Sequence, residues 1–197
     1  MPLAVVDRRH HRPAALLALL LLAACGRSTG GPLEPVAAPG LLLSQDADGQ
    51  PAATVRTGSV SAQVSARWSD TGEQSAILVY TNRGTAPARI DLSRLAMTGP
   101  AGEAVVLSAA DVTDTDLLDT RTDNDDARPL LHRDARGTAS GVLALPPGTE
   151  RRVDAQFSPF SNTVAARDGD AVTLRLPMAD GARAIRFIAR TPSLLPF

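Results

Sequence analysis

The stretch VSAQVSARW, residues 60–68, carries the clearest structural signal in this chain of 197 residues. Every second residue in it is apolar: Val60, Ala62, Val64, Ala66 and Trp68. This alternation is typical of a β-strand with one buried and one solvated face. Residues 75–81 predict a second strand, and because they are more uniformly apolar we expect that strand to lie centrally in a sheet.

Further short apolar runs follow, each set off by a turn signal. An Asn-Arg-Gly turn at residues 82–84 predicts that residues 75–81 and 88–92 form a hairpin, since Asn and Gly tolerate positive φ. A Gly-Pro-Ala-Gly turn at residues 99–102 predicts a second hairpin around it. Later alternating runs contain Val153, Val172 and Ile185. About eight short strands, with no convincing amphipathic helix, predict an all-β antiparallel β-sandwich.

Three segments of this region resemble exported bacterial domains of the immunoglobulin-like, telokin-like kind. They are ILVYTNRGTAPARIDL at residues 77–92, LAMTGPAGEAVVL at 95–107 and LPPGTERRVDAQF at 145–157. The resemblance implies an immunoglobulin-like β-sandwich over residues 54–190. Such domains bind other proteins or have no assigned function, so the resemblance implies no catalytic residues.

The N-terminus predicts export and lipidation. Basic residues lead into residues 14–24, which are all Ala or Leu and too short for a membrane span, and Cys25 follows two small residues. The run LAAC resembles the bacterial lipobox, which implies a signal peptide at residues 1–24 and a lipid anchor on Cys25, the only cysteine. The alternative is an ordinary signal peptide with an incidental Cys25. A twin-arginine signal is disfavoured because the residues after Arg8 and Arg9 do not continue its pattern.

Lipidation of Cys25 would place the protein on a membrane of the cell envelope, since two or more acyl chains hold a protein there stably. Gly26 after the cysteine, rather than Asp, favours the outer membrane facing the periplasm if the cell has two membranes. Residues 25–53 are rich in Gly, Pro, Ala and Ser, which predicts a flexible tether. Leu41, Leu42 and Leu43 are an apolar exception that predicts a short edge strand packed onto the domain.

The charge balance argues against nucleic acid as a partner. The chain has 20 basic and 21 acidic residues, and loss of the arginine-rich signal leaves the mature part mildly acidic. The arginines are scattered singly and lysine is absent. With no second cysteine the mature domain has no disulfide, so its stability must come from core packing.

Residues 111–137 depart from the immunoglobulin-like pattern and predict a polar insertion. Its carboxylates are Asp111, Asp114, Asp116, Asp119, Asp123, Asp125, Asp126 and Asp134. Clustered carboxylates suit calcium, but the EF-hand spacing fails because Ala127 stands where a third oxygen ligand is needed. Interspersed arginines also neutralise many of these charges. A solvated loop is the main interpretation, and a calcium site is the alternative.

Catalytic motifs are scarce. His132 is the only histidine after the signal, with Asp134 nearby, and no nucleophile elbow, zinc motif, phosphate loop or dinucleotide fingerprint accompanies them. We therefore predict no enzyme activity and no cofactor.

The leading hypothesis is a lipid-anchored module that binds an envelope protein or another envelope component. The alternative is an envelope hydrolase or calcium-dependent protein that uses the Asp-rich insertion and His132. Trp68 and Tyr80 are predicted to be core residues.

Overall fold

The computed structural model describes residues 31–68, 74–115, 128–132, 141–158 and 166–190, with the backbone alone for residues 114–115, 128–132 and 158. These ranges contain thirteen β-strands and one short 3-10 helix, Leu92–Arg94. The strands are β1 Gly31–Pro35, β2 Leu41–Gln45, β3 Pro51–Thr57, β4 Val60–Trp68, β5 Gln74–Asn82, β6 Ala88–Asp91, β7 Ala96–Thr98, β8 Ala104–Thr115, β9 Arg128–His132, β10 Val142–Leu145, β11 Glu150–Ser158, β12 Ala171–Met178 and β13 Gly181–Ala189. No helix in the described ranges is long and apolar enough to cross a membrane.

Eight strands close into an antiparallel barrel in the order β1, β13, β12, β7, β8, β11, β5 and β4. The closing strand is β1, which pairs with β13 through Leu33 and Ala189 and with β4 through Gly31 and Trp68. From the barrel wall, β3 and then β2 continue outward beside β4, and β9 pairs with β8. The predicted all-β antiparallel fold is confirmed. In place of the predicted two-sheet sandwich, the strands form one closed wall in which β1 pairs with both β13 and β4.

Strand β5 lies centrally, as its apolar sequence predicts. It pairs with β4 on one side and with β11 on the other. Its burial alternates along the strand, and the side chains of Leu78 and Tyr80 are fully buried. Burial of one leucine side chain contributes about 2 kcal/mol, so the alternation fixes which face points inward.

The barrel interior is filled with side chains. The largest fully buried ones are Trp68, Tyr80, Phe157, Phe187, Leu33, Leu78, Ile90, Leu92, Met97, Leu145 and Leu174. They form one continuous core with the inward residues of the neighbouring strands. The predicted core roles of Trp68 and Tyr80 are confirmed. Burial raises the pKa of the Tyr80 phenol, whose hydroxyl donates a 2.9 Å hydrogen bond to the carbonyl of Pro177.

The predicted hairpin between residues 75–81 and 88–92 is wrong. Strand β6 pairs with β10 instead, in a separate two-stranded sheet. Both edges of β5 are already occupied by β4 and β11, so no edge remains for β6. At the end of β5, the Asn82 amide donates hydrogen bonds to the carbonyls of Ala86 and Leu145, which directs the chain into the second sheet.

The tether predicted over residues 25–53 does not extend beyond Gly31, because β1, β2 and the start of β3 lie within it. Proline removes only one backbone donor per residue, and β1 needs few donors because it pairs with β4 over two residues and with β13 over three. Gly40 has φ 77° and forms the turn that leads into β2. The folded domain therefore begins well before the predicted boundary at residue 54.

The insertion predicted at residues 111–137 is also partly strand. Its first residues belong to the long strand β8, and residues 128–132 form β9, whose backbone pairs with β8. The inward positions Ala110 and Val112 are buried, so the Asp-rich sequence begins on a strand that already contributes to the core. Residues 116–127 and 133–137 lie outside the described ranges.

Candidate functional site

The outer edge of β2 is an exposed apolar strand. Strand β2 ends the sheet and, within the described ranges, pairs only with β3. Leu42 and Leu43 are the two most exposed large apolar side chains described, at 65% and 52%. We call residues 41–45 the open edge. Its existence confirms the short edge strand predicted from the three leucines.

The open edge lacks the usual protection of edge strands. Leu42 lies opposite Thr54 and Leu43 opposite Ala53, so the two leucines project from opposite faces of the sheet. Leu41 is only partly buried, against the core. The sequence LLLSQ has no charged residue and no proline, which are the residues that commonly prevent edge strands from pairing with other chains. The edge is therefore able to accept another strand.

The turn that follows the open edge fixes its register. The Asp46 carboxylate accepts hydrogen bonds from the backbone N–H groups of Asp48 at 2.9 Å and Gln50 at 2.8 Å. Asp46 also donates its own N–H to the carbonyl of Gln50 at 2.9 Å, and Gly49 has φ 75°. Aspartate and glycine are suited to such a turn because one caps backbone donors and the other tolerates positive φ.

The surroundings of Asp46 favour the charged form of its carboxyl. Burial raises the pKa of its carboxyl, but the nearby Ser65 side chain, the hydrogen bonds from the Gln50 and Asp48 backbones and the Arg152 charge lower it more. The net pKa lies below the ordinary value. Its Oδ2 is buried and has no hydrogen-bond partner of good geometry among the described residues, although Ser65 lies close enough to lower the pKa.

Gln63 on β4 holds the end of β2 in place. Its Nε2 donates to Ser44 Oγ at 3.0 Å and to the carbonyl of Gln45 at 3.1 Å, reaching across β3. These bonds fix the position of an otherwise exposed strand. A small cavity of about 210 Å³ lies nearby, lined by residues that include Gln50, Ser65 and Arg67.

The backbone groups available along the open edge follow from the pairing with β3. Asp46 and Gln50 are hydrogen-bonded opposite one another, whereas Pro51, opposite Gln45, has no N–H. Because bonded and non-bonded pairs alternate in an antiparallel ladder, Leu43 directs both its N–H and its C=O away from β3. Leu41 and Gln45 face the same way. The Leu41 N–H already donates to the carbonyl of Ala38 at 3.1 Å.

A second concave surface lies at one end of the barrel. It is an open groove of about 650 Å³ between the β3–β4 turn, the segment before β6 and the β12–β13 turn. Arg89 and Asp180 are the charged residues of its lining, and Asp180 is paired with Arg183 at 2.9 Å. The rest of the lining is mostly small side chains. This arrangement supplies no set of converging groups for a reaction.

The structure describes only some of the residues singled out from the sequence. Cys25 and Asp134 lie outside the described residues. His132 ends β9, where its backbone lies opposite Ala109, and Asp111 belongs to β8. Among the residues that the structure describes, no group of three His, Cys, Asp or Glu side chains is arranged to hold a metal ion. Most carboxylates of the calcium and hydrolase hypotheses belong to residues 116–127 and 133–137, which the structure does not describe.

The exposure of Leu42 and Leu43 differs from the packed edge strand that the sequence predicts. The sequence signal was present, because three successive leucines interrupt a segment rich in Gly, Pro and Ala. Successive side chains of a strand point to opposite faces, and one face of a strand is usually buried. Only the tertiary structure shows that β2 lies beyond the barrel wall, where both faces are exposed. A comparison with protein-family models, with curated proteins and with solved structures finds no match to this chain.

Proposed function

We propose that this protein is a lipid-anchored, non-catalytic lipoprotein of the cell envelope whose β domain binds another protein by accepting a strand at the open edge. The observation that carries the proposal is the exposure of Leu42 and Leu43 on an edge without charge or proline. In strand addition, backbone hydrogen bonds supply affinity and alternating side chains supply specificity. Such binding needs no catalytic group.

The expected affinity of the edge alone is modest. Covering the exposed parts of Leu42 and Leu43 contributes roughly 1–2 kcal/mol each, whereas association costs at least about 4 kcal/mol in lost freedom of motion. A few backbone hydrogen bonds add roughly 1 kcal/mol each. Confinement of both partners to one membrane raises their effective concentration, which compensates for a short contact. A lipid anchor and a short open edge are therefore complementary features.

The proposed anchor would hold the domain close to the bilayer. Only residues 26–30 separate Cys25 from the first residue of β1, a distance of about 20 Å at full extension. An envelope location, with the outer membrane favoured by Gly26, agrees with a domain that meets its partner beside the membrane. The partner is then a protein exposed at the same surface.

We also infer that the barrel is an immunoglobulin-like β-sandwich modified by closure. In support, β4, β5, β11 and β8 form one layer, and β1, β13, β12 and β7 form the other. The two layers share one core, and the short strands β1 and β7 connect them. An experimental structure in which β1 pairs with only one layer would support the relationship, and a barrel of uniform curvature would contradict it.

The binding proposal is tested by crosslinking in cells that produce the full chain. Leu42→Lys places a charge on the open edge, while Val142→Lys changes another exposed apolar residue, 43% exposed on β10. We expect Leu42→Lys to lose a crosslinked protein that both the wild type and Val142→Lys retain. Equal crosslinking by all three proteins would contradict binding at the open edge.

The anchor is tested separately. Mass spectrometry of the purified protein should show a chain that begins at an acylated Cys25, and Cys25→Ala should leave the membrane fraction. A wild-type chain that begins elsewhere, or that stays soluble after cell fractionation, would refute the anchor and leave the strand-addition result standing on its own.

A further inference from the structure

We propose that the strand which pairs with the open edge is the β2 strand of a second copy of this chain. The inference rests on the proposed strand addition and names its partner. The two β2 strands would run antiparallel about a two-fold axis at Leu43, which gives a closed, symmetric dimer. Leu43 of each copy would then lie opposite Leu43 of the other.

The hydrogen-bonding groups of the open edge match one another in this register. Leu43 directs its N–H and C=O outward, so the two copies exchange a reciprocal pair of bonds there. The next pair sets Leu41 of one copy opposite Gln45 of the other. One of its two possible bonds is already replaced within each copy, because the Leu41 N–H donates to Ala38 and the Gln45 C=O accepts from Gln63. The other bond runs from the Gln45 N–H to the Leu41 C=O.

The side chains of the open edge are also self-complementary. On one face the two Leu43 side chains, each 52% exposed, come into direct contact. On the other face Leu42 of one copy lies opposite Ser44 of the other. No like charges are brought together, because β2 carries no charged residue. A pairing shifted by one residue would no longer place the outward N–H and C=O of Leu43 opposite each other, so the Leu43 axis is the favoured one.

Two anchored copies can form this pair on one membrane. Along the sheet, Leu43 is level with Ala53 and Val64, whereas Gly31 is level with Trp68 at the end of β4. Four residues of β4 separate these two levels, which is about 13 Å at the rise of a β-strand. Because the two-fold axis reverses the strand direction in the second copy, the two β1 strands begin about 26 Å apart along that direction. Five residues, 26–30, separate β1 from Cys25 in each copy, so the proposed anchors of both copies could lie in one membrane when the paired strands run along its surface.

Disulfide crosslinking of the full chain in the envelope tests this register. A bonded antiparallel pair places its Cα atoms about 5.5 Å apart, within the range of a disulfide. Leu43→Cys should therefore give a covalent dimer on non-reducing gels. The matched control is Leu42→Cys, on the same strand and at a more exposed position. In this register residue 42 of one copy lies diagonally from residue 42 of the other, about 7–8 Å away. Leu42→Cys should give at least tenfold less dimer, and the wild type, with Cys25 alone, should give none.

A second measurement does not depend on the oxidant. The purified wild type should sediment as a dimer at high concentration, and Leu43→Arg, which sets two positive charges opposite one another, should sediment as a monomer. At a dilution where both proteins are monomers, the two should have the same midpoint of unfolding. A wild-type monomer without a Leu43→Cys dimer would overturn self-pairing. If Leu42→Lys still abolished capture of a different protein, strand addition would stand and only the second copy would be refuted.

Discussion

Replacing Asn82 by alanine removes three side-chain hydrogen bonds at the point where the chain leaves β5. The amide nitrogen donates to the carbonyls of Ala86 at 2.8 Å and Leu145 at 3.0 Å, and its oxygen accepts from the N–H of Gly84 at 2.9 Å. The bond to Leu145 is buried, and the other two are partly buried. Asn82 itself is fully buried, so water cannot easily replace it.

The expected cost follows from these three bonds. A buried carbonyl left without a donor costs about 1–3 kcal/mol, and each partly buried group costs about 0.5–1 kcal/mol because water reaches it. Asn82→Ala should therefore lower the free energy of unfolding by about 3 kcal/mol. For a domain of this size, that loss corresponds to a fall in Tm of roughly 6–12 °C.

The measurement is urea unfolding followed by the fluorescence of Trp68, the only tryptophan, which is fully buried in the folded state. Gln156→Ala, at an exposed position of β11, serves as the control and should change stability by less than about 0.5 kcal/mol. Asn82→Asp keeps the acceptor for Gly84 but turns a carboxylate toward two carbonyls. It should be at least as destabilising at neutral pH and should recover in part in acid, when the carboxyl becomes a donor. An Asn82→Ala protein as stable as the control would refute this account of the turn.

Three further changes probe other parts of the domain. Tyr80→Phe removes the 2.9 Å bond to the Pro177 carbonyl and should cost about 1–2 kcal/mol in urea unfolding, whereas an unchanged midpoint would contradict that bond's contribution. Gly99→Ala brings a Cβ against the Glu103 carboxylate, its nearest neighbour, and to 2.7 Å from the buried Trp68 ring. It should cost about 1–3 kcal/mol and shift the Trp68 emission, and an unshifted spectrum would argue against the contact with the ring. Asp46, whose folded pKa is lowered, should stabilise the protein above the ordinary aspartate pKa and lose that contribution as the pH falls through its folded pKa. Asp46→Asn should accordingly be less stable than wild type at pH about 7, and the difference should narrow as the pH falls below the ordinary aspartate pKa; a difference that widens in acid would contradict the sign.

The sequence predicted the parts of the fold whose signals are local. In β4 and β5 the alternation of apolar residues specifies both strand and buried face, and the glycine-rich turn at residues 99–102 specifies the β7–β8 hairpin. These features depend on neighbours within a few residues, so composition and period are sufficient to find them.

The parts that were missed depend on distant partners. The prolines and glycines of β1 lack strand propensity and predict a tether, and its ladder is completed by β4 and by β13, at the other end of the described residues. β6 was assigned to β5 because they are adjacent in sequence, yet β5 has no free edge. No local pattern reports which edges are already occupied.

The candidate site was half predictable for the same reason. The three leucines marked an edge strand, and the structure has one there. Their exposure depends on the position of β2, which is the second strand beyond β4 of the barrel wall. β1 pairs with only the end of β4, so the rest of that edge of β4 pairs with β3, and β2 follows β3. Cys25, the strongest single signal in the sequence, lies outside the described residues, and its lipidation stays a prediction.

The pairing of β1 with β13 also sets the order in which the domain can be completed. A chain is made from its N-terminus, so β1 emerges first, while its main partner, which includes Phe187 and Ala189, emerges last. Contacts between the two ends of a chain form slowly, because a long loop must close before they contribute any stability. Until then Leu33 has no complete site to fill. Until β13 is made, β1 can pair only with β4, through Gly31 and Pro32, and a chain truncated before β13 cannot close the wall.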